Sequence, residues 1–250
     1  MLIRSITAFS TAFIASWYFL VELTGVPSFV FPNPLEVAVV IFEKPHYLLT
    51  HTLVTTTEIV IGLLLGCVLG IGSALLLLLF DGSRRWVLPI MVVSQSIPVF
   101  ALAPLLTLWL GYGMSSKIAM AVLIIYFPVV AASFDGLRHT PQAMLTLAHS
   151  MSAPTWSVIR HIRIPAALPS IASGIRVATS VAPIGAVIGE WVGSSQGLGY
   201  VMLNANGRMQ TDEVFAALVC LGVVAVLLYV CVNRALDKCI HWQSDTALFQ

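Results

Sequence analysis

The sequence predicts an all-α integral membrane protein, and three observations carry that prediction. The 250 residues are 58% hydrophobic and only 9% charged, whereas about 25% of residues are charged in an ordinary soluble domain. Mean hydropathy is +0.95. Six apolar stretches, at residues 6–24, 56–80, 86–110, 118–134, 169–189 and 214–232, approach or exceed the roughly 20 residues that a helix needs to cross a bilayer. Strands are disfavoured, because an open sheet facing lipid leaves backbone N–H and C=O groups unpaired. Little chain remains for a soluble domain, so residues 1–250 read as one membrane domain with its core at about 50–235.

The first stretch follows Arg4 and runs on to Thr24 without a small-x-small cleavage pattern, so it reads as a retained anchor rather than a leader. After it comes FPNPLEV, where Asn33 suits a helix cap, Pro34 the first helical position and Glu36 the capping-box partner. A short helix is expected there. The second stretch carries Gly62, Gly66 and Gly70, a small-xxx-small series that lets a neighbouring helix approach closely. In the third, Ser94, Gln95, Ser96, Pro98 and Pro104 interrupt the apolar run. Proline inside a helix removes a hydrogen bond and clashes with the preceding turn, so this segment reads either as a broken helix lining a pathway or as a simple kink. The fifth stretch holds Arg176 and ends at Glu190. Fourteen residues apart, about 21 Å along a helix, these two cannot pair within one straight helix. Arg176 either snorkels to the membrane surface or faces a translocation path, for which Glu190 is a further candidate. Cys67, Cys220, Cys231 and Cys239 lack CxxC spacing and read as packing residues.

Lys and Arg set the orientation. With the N-terminus inside, the inner segments carry Arg4, Arg84, Arg85, Arg138, Arg160, Arg163, Arg234 and Lys238, and the outer ones only Lys44, Lys117 and Arg208. Both termini and the loop at about 139–168 are therefore expected on the cytoplasmic side. Within that loop Thr140-Pro141 and Pro154 are helix-start signals, which predicts a helix-break-helix. Leu147 and Met151 share a side of the first arm, and Trp156, Ile159 and Ile162 fall at helical spacing in the second, with Arg160 and Arg163 off that stripe. Such a ridge suits a groove on another protein; the alternative is a helix lying on the bilayer.

The stretch TLAHSMSAPTWSVIRHIRIPAALP resembles the loop by which bacterial ABC-importer permeases contact their ATPase. The family pattern is E-A-A, then G six residues after the E, then I/L-P at eighteen and nineteen. Those positions here are Thr146, Leu147 and Ala148, then Ser152, then Ile164 and Pro165, so Thr replaces the Glu and Ser the Gly. Three more blocks are similar to the family in order: FPNPLEV, IPVFALAPLLTLWLGYGMSSKI and GEWVGSSQGLGY. The resemblance is to the taurine, alkanesulfonate, nitrate and thiamine-pyrimidine branch. It implies a six-helix type I importer fold and a homodimer in the bacterial inner membrane, served by two cytoplasmic ATPases and an external binding protein. No nucleic-acid partner is expected. It also implies ATPase coupling through Thr146, Leu147, Ala148, Ser152, Trp156, Ile164 and Pro165.

With no G-x-x-x-x-G-K-[ST], the chain is expected to bind no nucleotide or other cofactor itself, ATP being used by the partner. Nor does it show the charged intramembrane residues of a proton-coupled carrier, or the inverted repeat of many secondary transporters. A membrane enzyme is disfavoured because the six histidines are scattered and no HExxH is present. The tail from Gly189 onward looks closest to permeases for the pyrimidine moiety of thiamine, with taurine or another sulfonate as second choice.

Overall fold

The computed structural model describes residues 2–80, 82, 85, 86, 89 and 97–240. Among the described residues it is helical throughout, with ten α-helices: α1 Leu2–Thr24, α2 Pro34–Glu43, α3 Pro45–Leu79, α4 Val99–Leu110, α5 Met114–Arg138, α6 Gln142–Ser150, α7 Thr155–Val158, α8 Ile164–Trp191, α9 Leu198–Gly207 and α10 Thr211–Cys239. A π-helical segment, Ile159–Arg163, joins α7 to α8. Four helical runs are long and apolar enough to cross a membrane: Pro45–Leu79, Met114–Arg138, Thr155–Trp191 and Thr211–Cys239.

The capping box before α2 forms as the sequence predicts. The Leu35 N–H donates to Asn33 Oδ1 at 3.0 Å, and the Asn33 N–H donates to the Glu36 carboxylate at 3.1 Å. α3 begins eleven residues earlier than the expected span and is 35 residues long. Its first turns are rich in Thr and His, which made them look like a loop. Thr50, Thr52, Thr56 and Thr57 instead donate their hydroxyls to carbonyls four residues back, so these polar groups are satisfied within the helix. Pro98 caps the start of α4 and Pro104 lies inside it, while Ser94, Gln95 and Ser96 lie outside the described residues.

At the centre is α5, flanked by α3 and α8. A Cβ added at Gly62, Gly66 or Gly70 of α3 would fall 2.6, 2.5 and 2.8 Å from side-chain atoms of Ala121, Ile125 and Val129. On the other side, one at Gly185 of α8 would fall 2.6 Å from the Ala121 Cα, and one at Gly189 would fall 2.9 Å from the Lys117 Cα. Two apolar layers fill the seam. Ile59, Leu63, Ile125, Val129, Ala178 and Ala182 form one, and Leu77, Val130, Phe134, Leu137, Ala167 and Ile171 the other. A third cluster, with Val37, Val40, Leu48, Leu198, Val201 and Ala216, binds α2, α9 and α10 together at the end where α3 begins. Lys44 reinforces this end through a 2.7 Å ion pair with Glu213, whose hydrogen bond raises the Lys44 ammonium above its ordinary pKa.

Arg176 finds its partners within the chain. Its Nε donates to Asn233 Oδ1 at 2.6 Å and its Nη2 to Asp237 Oδ1 at 2.7 Å, tying α8 to the last turns of α10. Asn233 Nδ2 donates in turn to Asp237 Oδ2 at 3.0 Å.

Because the Cβ of Gly185→Ala would meet backbone, that substitution should cost about 1–3 kcal/mol of stability. Gly72, with nothing within 4 Å of its Cβ position, should accept Ala without loss. Thermal unfolding of the two detergent-purified variants measures the difference; equal midpoints would refute the packing assignment.

Candidate functional site

Two polar regions stand out, one at each end of the α3–α5–α8 seam. The first is the segment between α5 and α8. Thr140 was expected to cap α6, but its hydroxyl donates back to Leu137 O at 3.1 Å, and α6 starts after Pro141. The helix ends at Ser150, and Ser152 then adopts φ +52°. The Ser152 N–H reaches His149 O at 3.0 Å and the Ala153 N–H reaches Ala148 O at 3.0 Å. This pair of bonds is a Schellman cap with Ser152 as the left-handed residue, a place where glycine is favoured. The turn thus uses the conformation a Gly would take, and not separate Ser-Ala-Pro chemistry.

From Thr155 the chain is helical without a break to Trp191. Pro165 therefore does not mark a corner; the corner lies before Pro154. The π segment explains how. In a π turn hydrogen bonds reach one residue further back, as the Ile164 N–H does to Ile159 O, and this widening makes room for a proline ring that would otherwise clash with a carbonyl four residues earlier. The wider turn also splits the expected Trp156–Ile159–Ile162 stripe. Ile159 is buried, Ile162 half-buried, and Trp156 exposed at 63%.

The residues picked from the sequence are distributed unequally over this segment. Leu147 and Met151 are exposed while Ala148 is buried. Leu147, Ala148 and Pro165 line one 570 Å³ cleft, together with Met151, Ala153 and Ile162. Ile164 packs into the α3–α5 core. Thr146 is exposed in the second turn of α6, its hydroxyl donating to Gln142 O at 3.0 Å.

The second region lies at the other end of α8 and was almost entirely missed in the sequence. Glu58, Glu190 and Lys117 are 0%, 1% and 6% exposed, so charged groups beyond Arg176 are buried in the α3, α5 and α8 runs. Lys117, counted as a loop charge, lies in the first turn of α5. Its Nζ sits 3.2 Å from Glu58 Oε1 and donates to Ser194 Oγ at 2.6 Å. Glu190 accepts from Thr55 Oγ1 at 2.6 Å and from the Gly199 N–H at 2.5 Å. The Leu198 N–H donates to Thr55 Oγ1 at 2.8 Å, and the Gly197 N–H to His51 Nδ1 at 3.0 Å. Three consecutive donors at the start of α9 thus meet acceptors from α3 and α8, and a carboxylate at a helix N-terminus is favoured by the helix dipole. Gly197 has φ +106°, and a Cβ there would collide with the Glu190 carboxylate. The spacing of Glu190 from Gly197-Leu198-Gly199 therefore has a physical reason: the backbone must come close enough to bond the carboxylate. Arg176 is too far along α8 to join this cluster. Glu58 was legible as the sole charge within the second apolar stretch; Lys117 and Ser194 carried no signal by position.

Residues 62–240 match the family model described as the binding-protein-dependent transport system inner membrane component. The chain belongs to this family. A probable ABC transporter permease of Haemophilus influenzae is 53% identical over 90% of the chain and 91% of its own length. A formylaminopyrimidine transport permease of Halalkalibacterium halodurans is 33% identical, with 95% of each covered. A putative aliphatic sulfonates transport permease of Bacillus subtilis is 30% identical over 93% of the chain and 85% of its own length. In structure, the permease is similar to a chain of the inward-facing MetNI methionine ABC transporter, with a TM-score of 0.68 at 19% identity over 78% of this chain and 98% of that one. That likeness gives the type I importer fold. The permease is a multi-pass inner membrane transport component.

A left-handed non-glycine residue costs roughly 1–2 kcal/mol. Ser152→Gly should therefore firm the α6 cap by about 1 kcal/mol, and Ser152→Val should loosen it by a similar amount. Hydrogen exchange of the Ser152 and Ala153 amides reads both; slower exchange in the Val variant would contradict the cap.

Proposed function

We propose that the permease, as two copies side by side, forms the pathway for a thiamine-precursor pyrimidine delivered by an external binding protein, driven by cytoplasmic ATPases that dock on α6 and the π segment. The observation that carries the docking part is the exposed apolar ridge of Leu147 and Met151, which line one cleft, with Trp156 exposed on α7 at the start of a helical run that reaches Trp191 unbroken. A ridge of this kind fits a groove on a soluble partner, and force applied to it has a rigid path into the membrane. In this reading both termini and α6 are cytoplasmic, and α9 lies on the outer side. The positive excess of Arg138, Arg160, Arg163 and Arg234 supports that orientation. The pyrimidine cargo is supported by the full-length similarity to a permease named for formylaminopyrimidine.

Truncating an exposed aromatic anchor at an interface costs about 2 kcal/mol or more, roughly thirtyfold in affinity. Trp156→Ala should therefore strip the ATPase from the purified complex, and Pro165→Ala should weaken transport with less effect on docking. Co-purification with the ATPase encoded beside this chain decides; wild-type recovery and uptake in both variants would remove the docking assignment. For the cargo, mass spectrometry of the ligand retained by the neighbouring binding protein should return an aminopyrimidine, and a sulfonate or a flavin in its place overturns that choice.

A further inference from the structure

The Glu58–Lys117–Glu190 cluster does more than fill space. The Lys117 ammonium pairs with the Glu58 carboxylate, and Glu190 completes the cluster, all three within a tenth of full burial. The Glu58 carboxyl meets the Glu190 carboxyl and, at 3.2 Å, the Lys117 ammonium, and no other donor among the described residues reaches it. A partly satisfied buried ionic network is weaker than apolar packing of the same volume, and an ionisable side chain within a span points first to function. Its connections indicate which function. Lys117 on α5 touches Glu58 on α3 and Ser194 in the connection after α8. Glu190 on α8 holds Thr55 on α3 and the first N–H groups of α9. Ser194 further bonds Gln196, one residue before the Gly197 turn. These side chains form polar links from the three packed helices to α9, beside the His51 bond to the Gly197 N–H and the cluster that joins Leu48 to Leu198 and Val201.

We propose that Glu58, Lys117 and Ser194 are positioning residues for transport: they lock the attitude of α9 to α3, α5 and α8, so that movement of those helices carries α9 with it and sets the state of that end of the pathway. The inference rests on the reading of α6 as the point where ATP-driven force enters, and its test separates the two.

Reporter substitutions Leu203→Cys on the exposed side of α9 and Met144→Cys on α6 are placed in a chain whose four native cysteines are replaced by alanine. Each is reconstituted in nanodiscs with the ATPase encoded beside it. Maleimide labelling rates are then compared without nucleotide and with ATP and vanadate. With the native cluster both sites should change rate by at least about fivefold, the lower range of allosteric coupling. Glu58→Gln with Lys117→Met keeps side-chain volume and removes the charges. In that background Leu203→Cys should lose the nucleotide response while Met144→Cys keeps it. Ser194→Ala leaves the buried pair intact and should reduce the Leu203→Cys response, which keeps the test open if the double variant does not fold. An unchanged response at Leu203→Cys in the double variant or in Ser194→Ala overturns the proposal. So does its absence with the native cluster while Met144→Cys responds. Silence at both sites overturns the coupling reading and this inference with it.

Discussion

Lipid is as apolar as the side chains that face it, so helices in a bilayer gain little from hydrophobicity and are held by short-range contact. Here that contact is the glycine-lined approach of α3 and α8 to opposite sides of α5. Gly62, Gly66 and Gly70 lie against Ala121, Ile125 and Val129, and Gly185 and Gly189 against Ala121 and Lys117. Were these backbones held apart by even one methyl layer, Glu58, Lys117 and Glu190 would not converge, because they stand on the three helices so joined. The charged cluster is thus a consequence of the glycine seam. α10 differs in kind: only 11% of its most apolar window is buried, and it is tied at its ends, by Glu213 to Lys44 and by Asn233 and Asp237 to Arg176.

The two ends of the seam solve opposite problems. At the α9 end a short helix must be held against the bundle although its first N–H groups have no partners within the helix. Side chains from α3 and α8 supply them, and Glu190 adds a charge where the dipole favours one. At the α6 end the need is stiffness. The Schellman cap at Ser152 fixes the corner, and the π turn before Pro165 lets the helix continue where a proline would otherwise break it.

Much of this architecture was legible in the sequence, and the failures share a cause. The capping box at Asn33, the glycine stripe of α3 and the ordered family blocks are local patterns, readable because neighbours along the chain decide them. Pro165 is hard to place from sequence because proline fixes only its own φ and removes one donor; whether it starts, bends or merely occupies a helix depends on the turn around it. The apolar stretch that starts at 56 leaves out residues 45–55 because threonine counts as polar in composition, yet most of those hydroxyls are satisfied by their own helix. Lys117 was read as a loop charge because its partner Glu58 is 59 residues away in sequence, and only the folded seam brings them together. Arg176 offered two readings from the sequence, and its ties to Asn233 and Asp237 depend on an α10 register that the sequence does not display.

The motif that joins Glu190 to Gly197-Leu198-Gly199 illustrates what a structural reading adds to a resemblance. As letters, it is a family block. As geometry, it is a carboxylate at the end of one helix bonded to the start of the next, with two glycines needed because any Cβ at those positions would meet Glu190. The negative end of the α8 dipole opposes a carboxylate there, and the positive end of α9 offsets it. Separating α9 from α8 would therefore leave Glu190 at an unfavourable helix end and strip it of its Gly199 bond. A junction of this kind favours movement of α8 and α9 as one body.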